Sequence, residues 1–189
     1  MHEPPSGVRF LVTGESARLA RWLRLAGYDA AEMPAQPLVQ FYRRAFNESR
    51  VVVTRNRRVR PSRLFRVVQL ESQALGAQLA QVLREAGVTI DQDRAFSRCD
   101  RCNMAVEPIE KSVVRKRVPP YVFRTQERFH RCPSCRRIYW AATHWQRAQR
   151  FFDNLGSRQS WTDPSERSTQ VGGQPPPEEG LLPPRVGCG

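Results

Sequence analysis

The spacing of apolar residues changes period several times along the first ninety positions, and each change predicts an element. Val8 to Val12 is a short apolar run between polar flanks, the signature of a buried strand. From Ser16 to Ala26 the period lengthens: Leu19, Trp22, Leu23 and Ala26 share one helical face, and Gly27 supplies a stop. Tyr28 to Ala31 predicts a second strand, Leu38 to Phe46 a second helix, and Arg50 to Thr54 a β-branched strand. Phe65 to Leu70 predicts a fourth strand, and Ser72 to Ala86 a capped helix ending at Gly87. Strands alternating with helices predict a parallel sheet covered on both faces, a small α/β domain.

The pattern also sets the expected boundaries. Residues 1–7 are expected to be disordered, 8–95 to form the α/β domain, and 96–155 a second unit with a closing helix from Thr143 on Trp145, Ala148, Phe152 and Leu155. Beyond Leu155 periodicity ends and Pro, Gly, Ser and Glu take over, so 156–189 is expected to be a disordered tail.

Cysteine spacing defines the second unit. Cys99-Asp-Arg-Cys102 and Cys132-Pro-Ser-Cys135 present two thiolates each on a tight turn, the donor set of a closed tetrahedral zinc site. The intervening residues 103–131 exceed the commonest gap, so they are expected to fold, as a β-hairpin, into a zinc ribbon. Four thiolates saturate the ion, which predicts a structural zinc and gives His130 and His144 packing or helix-start roles. Tyr139, Trp140 and Trp145 are expected in the ribbon's core, with Phe129 open between core and base stacking. Cys188, near the end of the tail, has the wrong position for a prenylation box. The N-terminal residues lack the apolar centre of a signal peptide and no run suits a membrane span, which predicts an intracellular, reducing compartment, cytoplasm or nucleus, and no membrane partner.

Charge points to the partner. Thirty-one Lys and Arg against eighteen Asp and Glu give a net +13, and Arg supplies nearly all of the basic side. Residues 1–96 hold 15 basic and 9 acidic groups and residues 97–155 hold 13 and 5, whereas 156–189 hold 3 and 4. Both folded units are therefore basic, which predicts a nucleic acid as partner, and basic groups beside aromatics suit a single-stranded nucleic acid. In an open parallel sheet the working crevice lies beyond the carboxyl ends of the strands. There the loop after the third strand concentrates Arg55, Arg57, Arg58, Arg60 and Arg63, the first candidate phosphate surface. Arg18, Arg21 and Arg24 form a stripe opposite the apolar face of the first helix, a solvated surface or a phosphate track, with Arg18 and Arg21 taken as nucleic-acid contacts. Arg115, Lys116 and Arg117, just ahead of Tyr121, make a third basic group.

Taken in order, FLVTGESARLARWLRLAGYD (10–29), RVVVTRN (50–56), SRCDRCNMAVEPIEK (97–111), RVPPYVF (117–123) and FHRCPSCRRIYWAATHW (129–145) resemble the Mut-seven C-terminal RNase domain, a PIN-like nuclease family followed by a zinc ribbon. The resemblance spans roughly residues 8–155. It implies 3′-to-5′ exonuclease ancestry, RNA processing or decay, and a separate exonuclease domain or protein as partner. It also implies an Asp after the first strand and another in a Thr-Arg-Asp motif after the third, where carboxylates hold Mg²⁺ or Mn²⁺ for phosphodiester hydrolysis. This chain has Thr13 and Asn56 at those positions. Glu15, Asp29 and Glu32 are expected near the same strand ends, with Asp91 and Asp93 just before the ribbon; Glu15 and Asp29 are the first substitutes to consider, although the ordinary reading of all five is surface carboxylates that offset the arginines. The expectation is an RNA-binding module whose own catalytic acids are largely lost. The alternatives are an active metal-dependent ribonuclease and a zinc-ribbon protein-interaction module.

Overall fold

The computed structural model describes residues 7–33, 37–91, 93–140, 148, 150–152, 154 and 155. Thr143, His144, Trp145 and the tail with Cys188 lie outside them. In chain order the first body comprises β1 (Arg9–Thr13), a 3-10 turn (Gly14–Ser16), α1 (Ala17–Leu25), β2 (Asp29–Met33), α2 (Leu38–Asn47), β3 (Arg50–Thr54), β4 (Val67–Gln69) and α3 (Leu75–Ala86). The strands form one parallel sheet in the order β2-β1-β3-β4, as the alternating pattern predicts.

Alternation along the strands sorts side chains onto two faces. Phe10, Val12, Val51, Val53 and Val68 point towards α1 and α3, with Leu19, Trp22, Leu23, Leu79, Val82 and Leu83 opposite them. Leu11, Val52, Ala31 and Met33 point the other way, onto Phe41 and Ala45 of α2. Every residue of β3 is buried, as a central parallel strand requires.

Parallel neighbours need a crossover, and β3 and β4 have no helix between them. The Arg-rich segment makes that crossing itself. Val59, 2% exposed, and the half-buried Phe65 pack into the α2-side core, and Phe65 stacks on Tyr42 with ring centroids 5.4 Å apart. The crossover is thereby anchored to the body, while its arginines face solvent.

The second unit contains β5 (Glu107–Ile109), α4 (Lys111–Val114), α5 (Pro120–Thr125), β6 (Phe129–Arg131) and β7 (Ile138–Trp140), with an antiparallel sheet ordered β5-β6-β7. The expected hairpin between the cysteine pairs is replaced by β5 and β6 joined through two short helices. Pro119 and Pro120 favour a new helix start and separate α5 from α4. Val114, Val118, Phe129 and Ile138 form its core, so Phe129, 2% exposed, is a core residue.

Packing crosses position 95. Phe96 leans on the α1–α3 core, and Ala148, Phe152 and Leu155 are buried within it. Trp22 meets Phe151 and Phe152 at centroid distances of 4.6 and 5.6 Å.

Candidate active site and metal centre

Strand order reverses between β1 and β3, which makes their carboxyl ends the switch point of the sheet. Thr13 ends β1 and Thr54 ends β3. Thr13 Oγ1 lies 2.5 Å from Glu15 Oε1 and 3.1 Å from Thr54 Oγ1. The same Glu15 oxygen accepts from Thr54 Oγ1 at 3.3 Å and from the Arg55 N–H at 3.4 Å. Burial pushes the Glu15 carboxyl upward, but the hydrogen bonds from Thr13, from backbone N–H groups and from Thr54 outweigh it, and the pKa falls below its ordinary value. Glu15 is therefore a carboxylate at neutral pH.

Asn56 faces a different task. Its Oδ1 accepts the Arg58 N–H at 3.0 Å, its N–H donates to Thr54 Oγ1 at 3.0 Å, and its carbonyl accepts the Val59 N–H at 3.0 Å. This side chain shapes the start of the basic crossover. Among the described residues hydrogen-bonded in this cluster, Glu15 carries the one carboxylate.

Of the other acids named from sequence, Glu32 does stand at the carboxyl end of β2, in register with Val12, and the rest do not gather here. Asp29 opens β2 and pairs in register with Arg9, at the amino end of the sheet. Five-residue strands put that end roughly 13 Å from Thr13. Asp29 accepts from Arg50 at 2.7 and 3.1 Å and from Asn103 Nδ2 at 2.6 Å, so its expected place beside Glu15 is corrected. Glu32 pairs with Arg24 at 2.8 Å. Asp91 takes the N–H groups of Asp93, Arg94 and Ala95, in a turn after α3.

Sequence reasoning missed one switch-point residue: Thr54 is fully buried yet links Thr13, Glu15 and Asn56. It also passed over Glu71, which follows β4 two positions past Gln69, the register partner of Thr54, with its N–H on Gln81 Oε1 at 3.2 Å. The available signal was an acid just beyond the fourth strand.

Of the basic crossover, Arg55 donates to Gln73 at 2.9 Å. Arg57, Arg58, Arg60 and Arg63 are exposed and make no ion pair among the described residues. In the ribbon, Arg115 and Lys116 are exposed, and Arg117 donates to the Arg136 carbonyl at 3.4 Å. The α1 stripe is divided. Arg18 has an interaction partner, Arg21 donates to Asp100 at 2.8 Å, and Arg24 is 3% exposed, which corrects its reading as solvated surface.

Arg24 is buried because a cysteine turn docks on it. Its Nε donates to the Ala30 carbonyl and its Nη1 to the carbonyls of Asp100 and Arg101, at 2.8, 2.8 and 3.1 Å. The two C-x-x-C turns share one geometry. Cys102 N–H points at Cys99 Sγ and Cys135 N–H at Cys132 Sγ, at 3.2 and 3.5 Å. Asn103 and Arg136 follow with φ of 64° and 58°, each donating its N–H to the first cysteine's carbonyl.

All four sulfurs lie within 4.8 Å of one another, and among the described residues no histidine joins them. Cys99 and Cys135 sulfurs stand 3.7 Å apart. A disulfide would need about 2.05 Å, whereas sulfurs tetrahedral about one zinc stand about 3.8 Å apart. Burial, aided by the neighbouring thiols, pushes Cys102 up to about 12. Thiols this crowded ionise together when a cation sits among them, and the N–H groups aimed at Cys99 and Cys132 suit thiolate acceptors. Tyr139 adds a hydroxyl 2.9 Å from Cys99 Sγ and 3.0 Å from Asp100. The donor set fits zinc: this four-cysteine cluster could hold the ion.

No helix among the described residues is long and apolar enough to cross a membrane. No curated protein and no solved structure matches the chain. The family model described as Mut7-C RNAse domain matches residues 8–152, from the strand that begins the sheet to the segment packed on Trp22. With most of its length inside that match, the chain belongs to the Mut7-C RNAse domain family.

Proposed function

We propose that this chain is an RNA-binding module of nuclease descent, stapled by one structural zinc on Cys99, Cys102, Cys132 and Cys135, with its own hydrolytic site largely lost. The observation that carries the reading is the switch point itself. Thr13 and Asn56 stand where the family resemblance calls for aspartates, and Glu15 already accepts from Thr13, Thr54 and the Arg55 N–H. Mg²⁺ and Mn²⁺ are hard cations that favour several oxygen ligands and negative charge. The residues gathered here fit them poorly, and no hydrolytic step is assigned through them.

The neighbouring arginines suit a phosphate backbone. Arg57, Arg58, Arg60 and Arg63 are exposed on a crossover that Val59 anchors, so their binding involves little backbone ordering. Substrate handling for a separate exonuclease domain or protein, in a reducing intracellular compartment, is the role consistent with these features.

One titration tests this. Full-length protein is added to a single-stranded oligoribonucleotide with Mg²⁺, with Mn²⁺ or with EDTA, and binding and cleavage are read from the same samples. Saturable binding without metal-dependent cleavage is expected. Cleavage that disappears in EDTA and in Glu15→Gln or Glu71→Gln would establish an active ribonuclease instead. Negligible RNA affinity at physiological salt, together with a stable protein complex, would favour a protein-interaction module.

A further inference from the structure

The sheet has a second cationic surface at its other end. A cleft of about 620 Å³ opens beside the amino ends of β1 and β2, lined by Arg9, Arg94, Arg98, Asp29 and Ser49. That size suits a small ligand. Arg9 is the first residue of β1, four positions from Thr13, so the cleft is distinct from the switch point.

Its arginines come from two chain segments held in place. The Phe96 N–H donates to the Leu25 carbonyl at 2.7 Å, fixing the stretch that carries Arg94 and Arg98 against the end of α1. The Arg94 carbonyl presses so closely on Gly27 that an added Cβ would lie 2.4 Å from it. The Arg94 guanidinium stands 5.5 Å from the Tyr28 ring centroid, and a stacked guanidinium keeps its N–H edge free for an anion. Arg98 uses Nη1 on the Asn103 carbonyl at 2.8 Å, which leaves its other donors. Arg9 is exposed and has no ion-pair partner among the described residues.

Asp29 is the acid in the lining, and its charge is already answered. Arg50 clamps both of its oxygens while also pairing with Glu48, which Arg44 holds in turn at 2.9 Å, and Asn103 Nδ2 adds a third donor. The cleft therefore presents three guanidinium groups around a neutralised carboxylate. A phosphomonoester carries about −1.5 to −2 at pH 7 and three acceptor oxygens, twice the charge of a backbone diester. We infer that this cleft binds a terminal phosphate group, from an oligoribonucleotide end or a free nucleotide. The inference is separate from the RNA-binding reading of the crossover, and the two have different readouts.

The test measures the affinity of full-length protein for one oligoribonucleotide in three forms: 5′-phosphorylated, 3′-phosphorylated and unphosphorylated, with uridine 5′-monophosphate and inorganic phosphate titrated separately. The variants are Arg9→Ala, at an exposed position, and Arg9→Ala/Arg94→Gln, with thermal unfolding to confirm folding. A preference for one phosphorylated end on the order of tenfold is expected, reduced in the single variant and abolished in the double. Nucleotide or phosphate binding that the variants lose, with oligonucleotides indifferent to their ends, assigns the cleft to the free ligand and supports the inference equally. Equal affinity for all three oligonucleotides, with no nucleotide or phosphate binding, overturns it. So does a preference that survives in both variants. Loss of crossover arginines, by contrast, should weaken all three oligonucleotides alike.

Discussion

Asp29 shows how a single side chain changes meaning once its neighbours are known. Burial raises its pKa, but hydrogen bonds from Arg50 and Asn103 more than compensate, so it sits below the ordinary 3.8. A depressed carboxyl stabilises the fold above its unfolded pKa and loses that contribution as pH falls through the native value. Asp29→Asn should therefore cost about 2 kcal/mol near pH 7, with the deficit shrinking below pH 3.8, as urea unfolding across pH would show. Gly27 has φ of 90° and no room before the Arg94 carbonyl, so Gly27→Ala should destabilise by about 2 kcal/mol or more in the same assay. Periodicity placed Arg24 on the polar side of α1, and the helix does present it there. Its burial was not legible, because the turn that covers it lies some seventy-five positions later and local spacing carries no trace of that docking.

The first cysteine turn serves the α/β sheet as well as the cluster that could hold zinc. β2 is an edge strand, and Asn103 Oδ1 takes the Ala30 N–H at 3.0 Å while Arg24 gathers the Asp100 and Arg101 carbonyls. Edge strands are commonly covered, and here a C-x-x-C turn provides the cover. Removing zinc with a chelator should loosen that edge as well as the ribbon. Hydrogen exchange at the Ala30 amide should accelerate about tenfold or more, while the amide of Val52, in the central strand, changes far less. Most elements were legible because each announces itself locally, as in the unbroken Val51-Val52-Val53 of β3 or the Gly87 that ends α3 at φ 70°. The β3–β4 crossover was legible as a charge cluster but not as a packed connection. Val59 is one apolar residue among arginines, and its burial depends on Leu11, Val52 and Phe41 from elsewhere in the chain.

For the molecule as a whole, a net +13 makes ionic strength the governing variable of any polyanion complex. Replacing Arg57, Arg58 and Arg60 with Ala should weaken RNA binding and reduce the slope of log affinity against log salt by about 2. An unchanged slope would remove the crossover from the interface. The four-cysteine cluster was fully legible, since two C-x-x-C pairs already name the residues that could hold zinc. The switch point was legible in its departures at Thr13 and Asn56 and in Glu15, but not in Thr54, which acquires its place from strand register and not from spacing.

The ring of Trp22 is covered by Phe151 and Phe152, about 130 positions further along the chain. During synthesis the whole second unit must emerge before those phenylalanines arrive. Until they do, a nascent chain carries an uncovered indole and the apolar groove around it, and it should depend on holdase chaperones over that interval.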